Sequence, residues 1–208
     1  MTHPSRSLYG LGAAGVLVLS LGSAAKADPV LFSDTFNANT PALNVDPLGW
    51  TVSDGTVDII TDFGSCPSAA PAEMVPGGGC IIDLDGSTGD SGLLSNSVSL
   101  DAAETYSLVY YLRGGLDDNK VTVQFGSSVT SLAITSGSSW ARYVLANTPA
   151  AAGIVSFSFE NQGGDNMGVY LDNVSVVKGV VADVPAPLPL AAAAAAWSTS
   201  RRIRQRLR

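Results

Sequence analysis

The sequence is nearly without histidine, and its single one is His3. It has two cysteines, Cys66 and Cys80, and three glutamates, Glu73, Glu104 and Glu160. Charged residues make up only 14% of it. Each scarcity excludes something. Beyond His3 there is no imidazole for a Ser-His-Asp or Cys-His mechanism, and none to ligate zinc. The cysteines lie too far apart for a C-x-x-C redox or metal motif. No Gly-rich phosphate loop and no nucleophile elbow occur. The three glutamates offer little to the carboxylate pair of a glycoside hydrolase, and the sequence sets none of them opposite an aspartate.

Bases are scarce where the chain is densest in acids. All 18 acidic residues fall between Asp28 and Asp183, with only Arg113, Lys120, Arg142 and Lys178 among them, a net of −14. Such a domain repels phosphate backbones, which excludes nucleic acid and favours cations as partners.

Long apolar runs are missing too. The stretch Leu8 to Leu21 is shorter than the roughly 18 residues that a membrane span needs. Arg6 precedes it, and small residues follow up to Ala25-Lys26-Ala27. This is the pattern of a secretory signal peptide over residues 1–27, forming a signal helix and cleaved between Ala27 and Asp28. The alternative is an N-terminal membrane anchor. No cysteine stands directly after the apolar stretch, so a lipoprotein anchor is excluded. In an exported chain the two cysteines favour a disulfide, Cys66 to Cys80. It would close a loop of about 15 residues and contribute about 3 kcal/mol in the chain-entropy estimate.

What the sequence does have is alternation. Ile82 and Leu84 alternate with Ile81 and Asp83; Leu94, Val98 and Leu100 with Ser95, Ser97 and Ser99; Tyr106, Leu108, Tyr110 and Leu112 with Ser107, Val109 and Tyr111. The same period of two recurs at Val121–Phe125 and Val155–Phe159. It marks strands, because successive side chains point to opposite faces of a sheet. Gly-, Asp- and Ser-rich turns separate the strands, and Gly114 to Lys120 reads as a hairpin turn. In the last strand the apolar phase slips between Val169/Leu171 and Val174/Val176, which predicts a bulge near Asp172-Asn173. Nine to eleven short strands predict an all-β fold, an antiparallel β-sandwich over residues 28–179.

The remaining residues, 180–208, hold a Pro-rich joint, an apolar block and an arginine cluster. Val184-Pro185-Ala186-Pro187-Leu188-Pro189, followed by Arg201 and Arg202, resembles the PEP-CTERM sorting tail of Gram-negative bacteria. The resemblance implies an exosortase-type sorting protease as partner, delivery to the cell surface or extracellular matrix, and exopolysaccharide nearby. The alternative is an Ala/Pro linker with a basic end for anionic lipid.

The domain itself resembles jelly rolls of the galactose-binding or carbohydrate-binding-module type. The residues that carry this are Phe32-Ser33-Asp34, Asp83-Leu84-Asp85-Gly86, Tyr106-Ser107-Leu108 and the closing Leu171-Asp172-Asn173-Val174-Ser175-Val176. The resemblance implies sugar binding and a structural calcium between the first and last strands, with Asp34 and Asp172 as ligands. From the residues alone a second calcium set stands beside it: Asp83, Asp85 and Asp90 crowd a Gly-rich turn, though without EF-hand spacing. Both sets have an ordinary alternative, aspartates capping turns.

Sugar binding calls for exposed aromatic faces. Trp50, Tyr111 and Trp140 are the candidates, with Tyr143 and Tyr170 behind them; the alternative for Trp50 and Trp140 is core burial, that for Tyr111 is cover by a second sheet, and Tyr106 and Tyr110 belong to the core. The expectation is a non-catalytic surface or matrix protein that contacts exopolysaccharide. The alternatives are a purely structural surface protein and, after it, a carbohydrate-active enzyme.

Overall fold

The computed structural model describes residues 29–61, 76 and 78–181. Eleven strands follow one another: β1 (Val30–Asp34), β2 (Thr51–Ser53), β3 (Asp58–Thr61), β4 (Cys80–Asp83), β5 (Leu93–Leu100), β6 (Tyr106–Arg113), β7 (Asn119–Phe125), β8 (Ser128–Ile134), β9 (Ala141–Asn147), β10 (Gly153–Asn161) and β11 (Tyr170–Lys178). The described residues contain no helix.

The strands form two antiparallel sheets. One has six strands in the order β3-β4-β11-β6-β9, with β1 also on β11; the other has five, β2-β5-β10-β7-β8. Their inner faces meet as the sequence alternation requires. Leu108, Tyr110, Leu112, Leu171 and Val176 from the first sheet and Leu94, Val121, Val123, Phe125, Phe157 and Phe159 from the second are all buried. The result is an all-β sandwich of the jelly-roll kind.

β11 shows why the phase of its apolar residues slips. At its start it pairs β4 through Tyr170 and Leu171, and further on it pairs β1 through Val174 to Val177. Its register with β6 shifts between Asp172 and Ser175. Asn173 there has φ of +48°. The bulge turns Leu171 and Val174 to the same side, and both are fully buried. Left-handed backbone suits asparagine and penalises β-branched residues. Asn173→Val is therefore expected to lower stability by about 1–2 kcal/mol, read as an earlier urea midpoint with unchanged slope.

One expected turn is not what it seemed in the sequence. Residues 114–118 do not close a hairpin: β6 lies in the six-stranded sheet and β7 in the five-stranded one. The chain crosses between layers here. Gly115 permits the crossing, because a Cβ on it would sit 2.1 Å from the carbonyl oxygen of Gly168.

Trp50 is a core residue, not a surface platform. It is 6% exposed and packs edge-on against Phe32 and Phe157, with Phe36 and Phe159 also in contact. Its indole N–H donates to Asp34 Oδ2 at 2.7 Å.

Cys80 is fully buried at the start of β4, and no free cysteine occurs among the described residues. Its expected partner Cys66 lies outside the described residues. So do the expected signal cleavage at Ala27 and Asp28 and the sorting motif of Val184, Pro185, Pro187, Arg201 and Arg202.

Candidate functional site

The two outer faces of the sandwich differ in chemistry. On the five-stranded sheet the outward residues include Ser95, Ser97 and Ser99 of β5, Ser156 and Ser158 of β10, and Thr122 and Gln124 of β7. None of the outward positions on these strands is aromatic.

On the six-stranded sheet three neighbouring strands, β11, β6 and β9, each bring an aromatic and a charged residue two positions apart. These are Tyr170 and Asp172, Tyr111 and Arg113, and Trp140 (just before β9) and Arg142. Residues two apart on a strand share a face. Cross-strand pairing then sets them in rows. Tyr170 is opposite Arg113, and Asp172 is opposite Tyr111, which is opposite Arg142 on its other side. The Arg113 guanidinium carbon lies 4.7 Å from the Tyr170 ring centroid and 5.2 Å from that of Trp140. One row is thus ring, cation, ring; the next is acid, ring, cation. Tyr111, Trp140 and Tyr170 are each half-buried. Cation–π contact at distances of this order holds the two outer rings in place.

The first row continues into carboxylates. Tyr170 is opposite Asp83, and Asp83 is opposite Asp58. Both aspartates are buried. Asp58 accepts the N–H of Asn44 at 2.7 Å and that of Ser87 at 3.3 Å, and also the Ser87 hydroxyl. Asp83 accepts the N–H of Asp85 at 3.1 Å. Burial above all, then repulsion from Asp58 and Asp85, pushes the Asp83 carboxyl up to about 7; backbone N–H donation opposes this without overcoming it.

The aspartates expected to bind calcium separate into four environments. Asp34 and Asp172 lie on neighbouring strands, as the resemblance implied, yet the sheet does not bring their carboxylates together. Asp34 pairs with Val174, whose side chain is in the core, while Asp172 pairs with Tyr111 on the outer face. Asp34 also has both oxygens engaged, Oδ1 by the Phe36 N–H at 2.7 Å and Oδ2 by Trp50. Asp172 Oδ1 accepts the N–H of Asn173 at 2.7 Å. Asp83 and Asp85 do come together beside Gly168. Asp90 is exposed, and its backbone carbonyl accepts the Thr56 N–H.

Arg113 and Arg142 were not among the site residues expected from the sequence. The signal for the arginines was available as the repeated spacing of aromatic and charge.

No family model and no curated protein matches the sequence. Solved structures resemble it in part. The CBM22-1 xylan-binding domain of Xyn10C from Paenibacillus barcinonensis is 18% identical, with a TM-score of 0.48 over 76% of this chain and 100% of that one. TmCBM61, solved in complex with β-1,4-galactotriose, is 17% identical, with a TM-score of 0.49 over 64% of this chain and 91% of that one. The cleaved adhesin domain of Lys-gingipain from Porphyromonas gingivalis is 14% identical, with a TM-score of 0.49 over 72% of this chain and 98% of that one. Similarity at this level leaves ligand and site to be argued from the residues of this chain.

Proposed function

We propose that the chain is an exported, non-catalytic surface protein that holds a polysaccharide on the outer face of its six-stranded sheet. The observation that carries this reading is the chequered patch of Tyr111, Arg113, Trp140, Arg142 and Tyr170, set around the buried Asp172. A sugar ring has an apolar C–H face and an equatorial rim of hydroxyls. Partly exposed aromatic rings suit the face, and charged side chains between them suit the rim, with hydrogen bonds to ionised groups being the stronger kind. Rings already fixed by Arg113 lose little freedom on binding, which favours affinity. The rows run across three strands spaced about 4.8 Å apart, so the patch suits an extended chain of sugars better than a single one.

The terminal segments support the remainder of the reading. A signal peptide exports the chain, and the PEP-CTERM-like tail hands it to an exosortase-type protease for delivery to the surface. Exopolysaccharide is the ligand class at that location.

The test is a glycan array probed with the full chain. Retention of at least one polysaccharide is expected, with retention strongly reduced in Trp140→Ala. If no glycan is retained, the polysaccharide reading is overturned and a purely structural surface protein takes its place.

A further inference from the structure

The chain leaves the sandwich on the face that carries the aromatic patch. Lys178 ends β11 opposite Tyr106 of β6. Just past it, the Gly179 N–H donates to Thr105 O at 2.8 Å, and Gly179 has φ of +110°. The chain then turns back instead of running on. The Ser107 hydroxyl donates to Gly179 O at 2.8 Å and accepts the Val181 N–H at 3.1 Å. Ser107 points outward from β6, because Tyr106 and Leu108 on either side of it are in the core. It is nonetheless fully buried. One buried hydroxyl thus holds the departing segment at two points, on the outside of the six-stranded sheet.

Beyond Ser107 this face is apolar before it becomes aromatic. Val109 is the next outward residue of β6, opposite Ser175 on one side and Val144 on the other. It is 7% exposed although it lies outside the core cluster. No strand lies over this face among the described residues. Tyr111 and Arg113 follow it on the same face. Val181 is the last described residue, and the sequence goes on as Ala182-Asp183-Val184-Pro185-Ala186-Pro187-Leu188-Pro189. An extended chain and the strand beneath it both advance by about 3.3 Å per residue. Counted from the contact of Val181 with Ser107, this brings residue 185 within reach of Tyr111 and residue 187 within reach of Arg113. Both positions are prolines. A proline-rich segment is extended without help from a partner, and such segments dock on aromatic surfaces at little cost in entropy.

We propose that the outer face of the six-stranded sheet is a docking surface for the chain's own segment 182–189, with Pro185 on Tyr111 and Pro187 over Arg113 between Trp140 and Tyr170. The docking stands on the Ser107 clasp and on the chemistry of the face. Its consequence rests on the polysaccharide reading: the segment and the glycan compete for the same rings. Docking for about two-thirds of the time leaves about one-third of the molecules competent and weakens apparent glycan binding about threefold.

The test is hydroxyl-radical footprinting of the uncleaved full chain without glycan, read by mass spectrometry at Tyr111 and Trp140. The double variant Pro185→Gly with Pro187→Gly is expected to raise labelling of both rings about threefold over wild type. Labelling of Trp50, which is in the core, is expected to stay the same and reports that the sandwich is intact. Ser107→Ala releases Gly179 and Val181 and is expected to act in the same direction. Equal labelling of Tyr111 and Trp140 in wild type and the double variant overturns the docking. Glycan retention is the second readout, and the double variant is expected to bind the retained glycan about threefold more tightly. If labelling rises and both proteins bind glycan equally, the competition is overturned. If labelling rises and neither protein retains a glycan, the polysaccharide reading fails and the docking is upheld.

Discussion

Asp83→Asn is expected to stabilise the sandwich at pH 8 by on the order of 2–4 kcal/mol and to change it little near pH 4. Burial, with Asp58 and Asp85 adding repulsion, raises the Asp83 carboxyl from 3.8 to about 7 in the folded chain. In the unfolded chain it titrates near its ordinary value. Between those two values the folded state therefore binds the proton and the unfolded state does not. Stability from this group is complete below about pH 4 and is lost as pH rises through about 7. Asparagine is never charged, retains an oxygen for the Asp85 N–H, and removes that loss. Urea midpoints of wild type and variant, measured in EDTA at pH 4.5, 6 and 8, read the difference directly. Parallel pH profiles for the two proteins would contradict this account of Asp83.

Asp34→Ala is expected to destabilise the fold by about 3 kcal/mol. The carboxylate holds the Phe36 N–H, where the backbone has φ of +57°, and the indole N–H of Trp50. Without it a core donor loses its partner, and the tryptophan at the centre of five packed aromatic residues loses its anchor. Asp34→Asn keeps one acceptor oxygen of the two and is expected to recover about half of the loss. Chemical denaturation of the three proteins measures both effects. A loss under about 1 kcal/mol in Asp34→Ala would mean that packing alone fixes Trp50.

The period of two made the strands legible because each has one face in the core. Leu108, Tyr110 and Leu112 are buried on the side that alternation put them, and the slip in β11 announced its bulge. Which strands pair was not legible. The segment from Cys80 to Arg113 reads as three consecutive strands, yet β4 and β6 lie in one sheet and β5 in the other. Local alternation is identical for a hairpin and for a crossing between layers, so Gly114 to Lys120 reads as a turn in either case. The difference is decided by distant contacts such as that of Gly115 with Gly168.

The candidate site was partly legible. Tyr111 falls on the outer face because Tyr110 falls on the inner one, and Trp140 proves half-buried on that outer face. Trp50 stays open between platform and core in the sequence because it precedes a strand of only three residues, too short for alternation to assign a face. The two rows of rings and charges depend on register between β11, β6 and β9, which sequence does not state. The three aromatic-x-charged triplets state only that each strand sets a ring and a charge on one face, not how the strands align.

The most direct test of the proposal that the outer face of the six-stranded sheet holds a polysaccharide is affinity electrophoresis of the full chain in gels containing the glycan retained on the array. Trp140→Ala on the six-stranded sheet is expected to weaken retardation about tenfold or more, the equivalent of about 1.4 kcal/mol. Ser158→Ala on the five-stranded sheet is expected to leave it unchanged. Equal retardation of wild type and Trp140→Ala, or a loss in Ser158→Ala instead, would contradict the assignment of the binding face.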